Sequence, residues 1–382
     1  MKNASLFFIG AAFLLASCGG NDASGNKSAF NYPKTRKVDT VDTYFGVKVP
    51  DPYRWLEDDN SDSTKKWVDE ENALTQDYLA KIPFRDKIRK RLTEIWNFEK
   101  MSAPYKKGKR YFYSKNDGVQ NQSVLYYKDD LNGEGKMLLD PNTLSKDGTV
   151  SLGSWDVSHD GKYLAYGLNK AGSDWVDFYV KDIASGKDLT DHIRWSKFSN
   201  AAWKDNGFYY GRFEEPKSST YSAENKFQKL YYHKIGDAQD KDQLIYKDDQ
   251  HPDRSFGAQV TDDQKWLIIY TTETTSGNGL MVKDLTKPNS EFVSIIDNFK
   301  NDYGVLDIRD GKMIVRTNNG ASNFRLVSID IAHPEESAWK NIIPEDKNML
   351  EGVTIAGDKF IAHYLVDVKS KLCIFDKDGK NE

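Results

Sequence analysis

The stretch HDGKYLAYGLNKAGSDWVDFYVKDIASGKDLTD, residues 159–191, carries the pattern on which the fold turns. A turn at His159-Asp160-Gly161-Lys162 leads into an alternating aromatic run. A second strand, FYVKDI, ends at an aspartate, and a short third run, KDLTD, follows. Alternation of this kind, broken by Gly, Asp and Asn, marks half-buried strands joined by tight turns.

Outward from this unit the same turn-plus-strand recurs as KKGKRYFY, KDNGFYYG, DDQKWLIIY, RDGKMIVRT and AGDKFIAHY. With Gly108, Gly161, Asn206, Gln264, Gly311 and Asp358 as turn positions, the steps are 53, 45, 58, 47 and 47 residues. Repeats of roughly 40 to 50 residues suit four-stranded propeller blades. A second landmark keeps step: Asp129, Asp182, Asp284, Asp330 and Asp376 close a later strand 18 to 21 residues after their turns. A sandwich or a set of small barrels explains alternation but not a repeat with two landmarks per unit. The first five repeats also carry a further short strand (KMLLD, KDLTD, QLIY, FVSII, NIIP), whereas the sixth stops at the turn Asp378-Gly379. The expected fold is therefore all-β, a propeller over 101–382 of about six blade repeats with the last incomplete.

The propeller follows a segment of different character, 31–100. Ser61 or Ser63 offers a helix N-cap, and Trp67, Leu74 and Tyr78 share one helical face until Pro83. A second helix is expected from the spacing of Phe84, Ile88, Leu92 and Ile95. Its basic face, Arg85 to Arg91, reads as solvated. Before it, residues 1–18 combine Lys2 with a short apolar run ending Leu15-Ala16-Ser17-Cys18. That is too short for a stable membrane helix and has the form of a secretory leader. The ending resembles the bacterial lipoprotein box, which implies lipidation at Cys18 and a cell-envelope location, with 19–30 as a flexible tether.

Chemistry is scarce. The 382 residues hold 54 basic and 58 acidic side chains, a formal net charge of -4, so no electrostatic case for nucleic acid exists. Two cysteines and six histidines show no metal-ligand spacing, and no glycine loop suits a phosphate, so no metal or cofactor is expected. The nearest approach to a nucleophile elbow is Gly320-Ala321-Ser322-Asn323-Phe324, which lacks the final glycine. Ser322 with Asp330 or Asp346 and His363 has the right chain order, but no alternating helices surround it, so Ser322 reads as a blade turn. Cys373 reads as a small buried hydrophobe.

The segments YPKTRKVDTVDTYFGVKVPDPYRWLED, NDGVQNQSVLYYKD, LLDPNTLSKDGTVSL, DGKYLAYGLNKAGSDWV and QKLYYH closely resemble the N-terminal part of the prolyl oligopeptidase family of serine peptidases. The resemblance implies a seven-bladed propeller capping an α/β-hydrolase that carries Ser, Asp and His. Segment 31–100 would pack on that hydrolase, and the propeller would restrict entry to short proline-containing peptides. It also implies that Phe198, in IRWSKFSNAAW, lines the outer substrate subsites, where stacking contributes about 0.5–1.5 kcal/mol. A blade-core role is the plain alternative for Phe198. The types around Ser255, Phe256 and Thr275 differ from the family's, and no role is carried over. The hydrolase and its triad are absent from these residues, so the chain is expected to be an N-terminal portion, inactive alone and lacking the domain on which it packs. The alternative is a free-standing lipoprotein propeller that binds peptides or glycans.

Overall fold

The computed structural model describes residues 30–217 and 224–380. The leader, the tether up to residue 29 and the proposed lipidation site Cys18 lie outside them. The chain divides into two compact units, one up to Arg85 and one from Asp86 onward.

In the first unit, strands Val41–Tyr44 and Val47–Pro50 form a hairpin, an element that the helical reading of this segment did not include. Helix α1, Asp62–Ala80, begins as expected at Ser61, whose hydroxyl accepts the Thr64 amide at 3.2 Å. That contact satisfies one of the amides left free by the first turn. The Trp67 indole donates to Thr35 Oγ1 at 3.0 Å, which fastens the extended lead-in to the helix. From the short turn Arg54–Glu57 before the helix, the Trp55 indole donates to the Arg36 carbonyl at 2.9 Å.

The second unit holds helix α2, Arg85–Trp96, apart from its first residue, and among the described residues continues into six antiparallel sheets in chain order. Blade 1 comprises Tyr105–Lys107, Arg110–Asn116, Val124–Lys128 and Lys136–Leu139, with Lys100–Met101 added beside its second strand. Blade 2 is Val150–Val157, Tyr163–Lys170, Val176–Asp182 and Asp188–Ser196. Blade 3 is Ala202–Lys204, Gly207–Arg212, Lys229–Lys234 and Gln243–Tyr246. Blade 4 is Ser255–Val260, Trp266–Thr272, Gly279–Asp284 and Val293–Ile296. Blade 5 is Tyr303–Arg309, Lys312–Thr317, Arg325–Asp330 and Lys340–Ile343. Blade 6 has three strands among the described residues, Met349–Ala356, Lys359–Val366 and Lys369–Asp376. The fold is thus the expected all-β propeller, with six blades among the described residues.

Both repeat landmarks have physical causes. The first strand turns into the second through residues of positive φ, among them Gly108, Asp205, Gln264 and Gly311, the conformation of tight hairpins. At Gly108 a side chain is also excluded, since an added Cβ would lie 2.3 Å from the Asp160 carbonyl of the next blade's turn. The aspartates that close the third strands fold their carboxylates over the next turn. Asp182 accepts the Ser185 amide at 2.7 Å, Asp284 that of Thr286 at 2.9 Å, Asp330 that of Ala332 at 3.0 Å and Asp376 that of Asp378 at 2.9 Å.

The core lies in the seams. Five clusters of buried side chains join successive blades: Leu164 with Phe112, Phe178 with Phe208, Leu230 with Leu267, Leu280 with Val315, and Leu326 with Phe360. Cys373 is half-buried against the last of these clusters.

Candidate functional site

Ser322, Asp330 and His363, which have the chain order of a triad but were not expected to form one, share no hydrogen bond or ion pair among the described residues. Ser322 lies in the turn between the second and third strands of blade 5. Asp330 caps its own turn, and His363, on blade 6, stands 3.5 Å from Glu351. Among the described residues no group of three or more His, Cys, Asp or Glu has a geometry that could hold a metal ion.

Phe198 occupies the connection from the fourth strand of blade 2 to the first strand of blade 3. It is 68% exposed and has φ +51°, so it belongs to none of the seams. Its neighbours hold that conformation from three blades. Ser196 Oγ donates to the Gly211 carbonyl at 2.7 Å, and the Gly211 amide donates to Ser199 Oγ at 2.7 Å. Gln228 Nε2 donates to the Lys197 carbonyl at 3.0 Å, while Gln228 Oε1 accepts the Phe256 amide. Asn200 reaches the Ala258 carbonyl at 3.3 Å. An aromatic ring held in a strained backbone conformation and turned to solvent is poorly explained by packing, and such strain concentrates at binding surfaces. Phe256, by contrast, is a buried core residue.

A floor of aromatics accompanies this turn. Trp175 meets Trp195 edge-on at 5.5 Å and Phe213 at 6.2 Å, and the Lys197 ammonium lies 4.3 Å from the Trp175 ring centroid. The Phe213 amide donates to the Trp195 carbonyl at 2.9 Å, joining blade 3 to blade 2. Lys197, the residue before Phe198, is thus a cation set against a half-buried aromatic cluster.

Charged residues gather at the hairpin turns. Asp262, on the first hairpin of blade 4, stands 3.3 Å from Lys107 of blade 1 and 4.0 Å from His159 of blade 2. Beneath them burial pushes the Asp156 carboxyl up to about 6, an effect that Lys107 opposes and Asp262 reinforces. Burial, followed by Lys107, holds the His159 imidazole below its ordinary value. A cavity of about 510 Å³, lined by Asp262, Arg316 and the first strands of blades 5 and 6, opens beside this group.

One polar centre escaped the sequence. His233 is fully buried, its Nδ1 2.7 Å from Asp242 Oδ1 and its Nε2 2.9 Å from Asp191 Oδ1. Tyr210 OH donates to Asp242 Oδ2 at 2.6 Å and the Gly236 amide to Asp191 Oδ1 at 2.7 Å. Burial pulls the imidazole down, but the two carboxylates outweigh it and raise the group to about 9. A cation clamped by two anions, with no opening to solvent, fastens blade 2 to blade 3 and has no room to act on a substrate.

Comparison with known proteins gives a consistent picture. Residues 33–382 match the family described as prolyl oligopeptidase, N-terminal beta-propeller domain. A prolyl endopeptidase of Elizabethkingia meningoseptica is 42% identical over 382 residues, covering 100% of this chain and 53% of that protein. Prolyl oligopeptidase A of Amanita bisporigera is 35% identical, over 91% of this chain and 51% of its own length. Among solved structures, prolyl oligopeptidase B from Galerina marginata bound to a 35mer hydrolysis and macrocyclization substrate superposes with a TM-score of 0.78 at 30% identity, covering 92% of this chain and 53% of that one. The chain spans about half the length of these relatives.

Proposed function

The chain belongs to the prolyl oligopeptidase N-terminal β-propeller family, and from that premise we propose that it serves as the gate of a serine endopeptidase that hydrolyses short peptides after proline. The observation that carries the reading is Phe198, an exposed aromatic braced from three blades in a matched propeller. In this reading Phe198 stacks on residues upstream of the cleaved proline, and the blades limit entry to short, flexible chains. The nucleophile, base and oxyanion donors belong to an α/β-hydrolase outside these residues. The 382-residue chain alone is then inactive. The exposed apolar face of α2, with Ile88, Leu92 and Trp96, supports a segment made to be covered by that hydrolase. Acylation of Cys18 holds the protein at the cell envelope.

The test is an assay of the 382-residue chain on a proline-containing chromogenic peptide, alone and after addition of a hydrolase domain from a relative. No turnover alone and restored turnover on addition are expected. Turnover by the chain alone, blocked by a serine-directed inhibitor, overturns the reading. Fatty-acid incorporation that is lost in Cys18→Ser tests the anchor.

A further inference from the structure

Two lysines are buried among the described residues, and they differ in one respect. Lys181, 7% exposed, meets the Asp188 carboxylate at 2.7 Å and the Gly186 carbonyl at 3.2 Å. Lys197, 5% exposed, has no carboxylate within 4.0 Å, and its ammonium donates no hydrogen bond to a described residue. Asp174 is the one charge that favours its protonated form, and burial holds the group below the ordinary lysine value. The undescribed stretch 218–223, Ser-Ser-Thr-Tyr-Ser-Ala, contains no carboxylate. A buried ammonium without an acceptor is costly, because desolvation is not offset by a partner. The Trp175 face offsets part of that cost.

Among the described residues the sealed side-chain atoms without a hydrogen bond are Ser154 Oγ, Asp191 Oδ2, Arg325 Nε and His363 Nε2, and Lys197 Nζ is not one of them, so it is not wholly sealed. Lys197 directly precedes Phe198, and Gln228 fixes its backbone carbonyl. A donor set against an aromatic ring, without an acceptor and not wholly sealed, is the arrangement of a recognition site for an anionic group.

We propose that Lys197 is a specificity residue that binds a carboxylate on a peptide whose adjacent residue stacks on Phe198, so that the propeller favours acidic or succinyl-capped peptides. This rests on the peptide-gate reading above and adds to it a charge preference at the outer subsites. The ligand carboxylate supplies the partner that Asp188 supplies to Lys181.

The test compares two peptides whose caps differ by an added CH2-carboxylate, succinyl-Ala-Pro-amide and acetyl-Ala-Pro-amide, with neutral succinamoyl-Ala-Pro-amide as the control of equal size, titrated calorimetrically into the 382-residue chain. The succinyl peptide is expected to bind roughly tenfold more tightly, the gain of one charge-assisted hydrogen bond. Lys197→Met should remove the difference, Lys197→Arg should retain most of it, and Phe198→Ala should weaken both peptides alike, each variant being checked for folding by circular dichroism. Equal affinities in the parent chain, or a preference that survives Lys197→Met, overturn the proposal. If neither peptide binds, acetate is the second probe: protection of Lys197 from acylation by an N-hydroxysuccinimide ester, read by mass spectrometry, upholds the anion site and discards the peptide gate. Absence of that protection overturns the anion site itself.

Discussion

Leu326 in blade 5 and Leu372 in blade 6 hold the same place in their blades, four residues before the aspartate that closes the third strand. Leu125, Phe178 and Leu280 hold it in blades 1, 2 and 4, and all of these except Leu372 are buried. Leu372 is 67% exposed. Leu326 is covered from two sides, because it pairs with Ile343 of a fourth strand and packs against Phe360 and Ala362 of the next blade. Leu372 has neither cover among the described residues. The difference teaches that a blade's own sequence prepares an apolar face, while the neighbouring strand and blade decide whether that face stabilises anything.

Closed seams and the open edge should therefore respond differently to substitution. The largest effect is expected at the polar seam of blades 2 and 3. His233→Ala leaves Asp191 and Asp242 buried without their cation, at a cost of about 3–5 kcal/mol. The same centre sets a pH dependence. Its folded value, about 9, exceeds its ordinary 6.5, so its stabilisation is complete below pH 6.5 and fades as the pH rises through 9. Urea midpoints should fall over that window in the parent chain, and a flat profile would count against the clamp.

Next in size, Leu326→Ala should cost about 2–5 kcal/mol in urea unfolding through lost burial and a cavity in the seam. A loss below about 1 kcal/mol would mean that blades 5 and 6 are not packed as described. Asp156 tests the opposite sign. Burial raises its folded value to about 6, so its charged form destabilises the chain above that pH, and protonation relieves the cost as pH falls. Asp156→Asn should raise stability at pH 8 by about 1–2 kcal/mol and change little at pH 4. The smallest effect on unfolding belongs to the edge: Leu372→Lys should move the midpoint by no more than about 0.5 kcal/mol. It should nonetheless reduce concentration-dependent light scattering, since a charge on a strand paired on one side only among the described residues discourages edge-to-edge pairing. A shift as large as that of Leu326→Ala would erase the distinction between seam and edge.

Much of this architecture was legible in residue order because its causes are local. The hairpins between first and second strands place Gly, Asp or Gln at positive φ, and the closing aspartates cap turns two or three residues away. Both leave a periodic trace. The N-cap at Ser61 was readable for the same reason, whereas the hairpin Val41–Tyr44 with Val47–Pro50 was obscured by prolines and by strands that bury almost nothing. For Phe198 the sequence left two roles open, substrate wall or blade core, and its exposure removes the second.

What the sequence by itself determined is the repeat: six turn-and-strand units, the family they resemble, and the absence of an elbow for a nucleophile. What only the tertiary structure decided lies between blades. Asp191 is 42 residues from His233, and Lys107 is 155 from Asp262. No periodicity links such residues, because their proximity depends on how successive sheets are rotated and packed. The same holds for Lys181 and Lys197, both lysines on blade 2 or its exit. One has Asp188 across its own sheet and the other has only the Trp175 ring, a contrast set by the direction of two side chains.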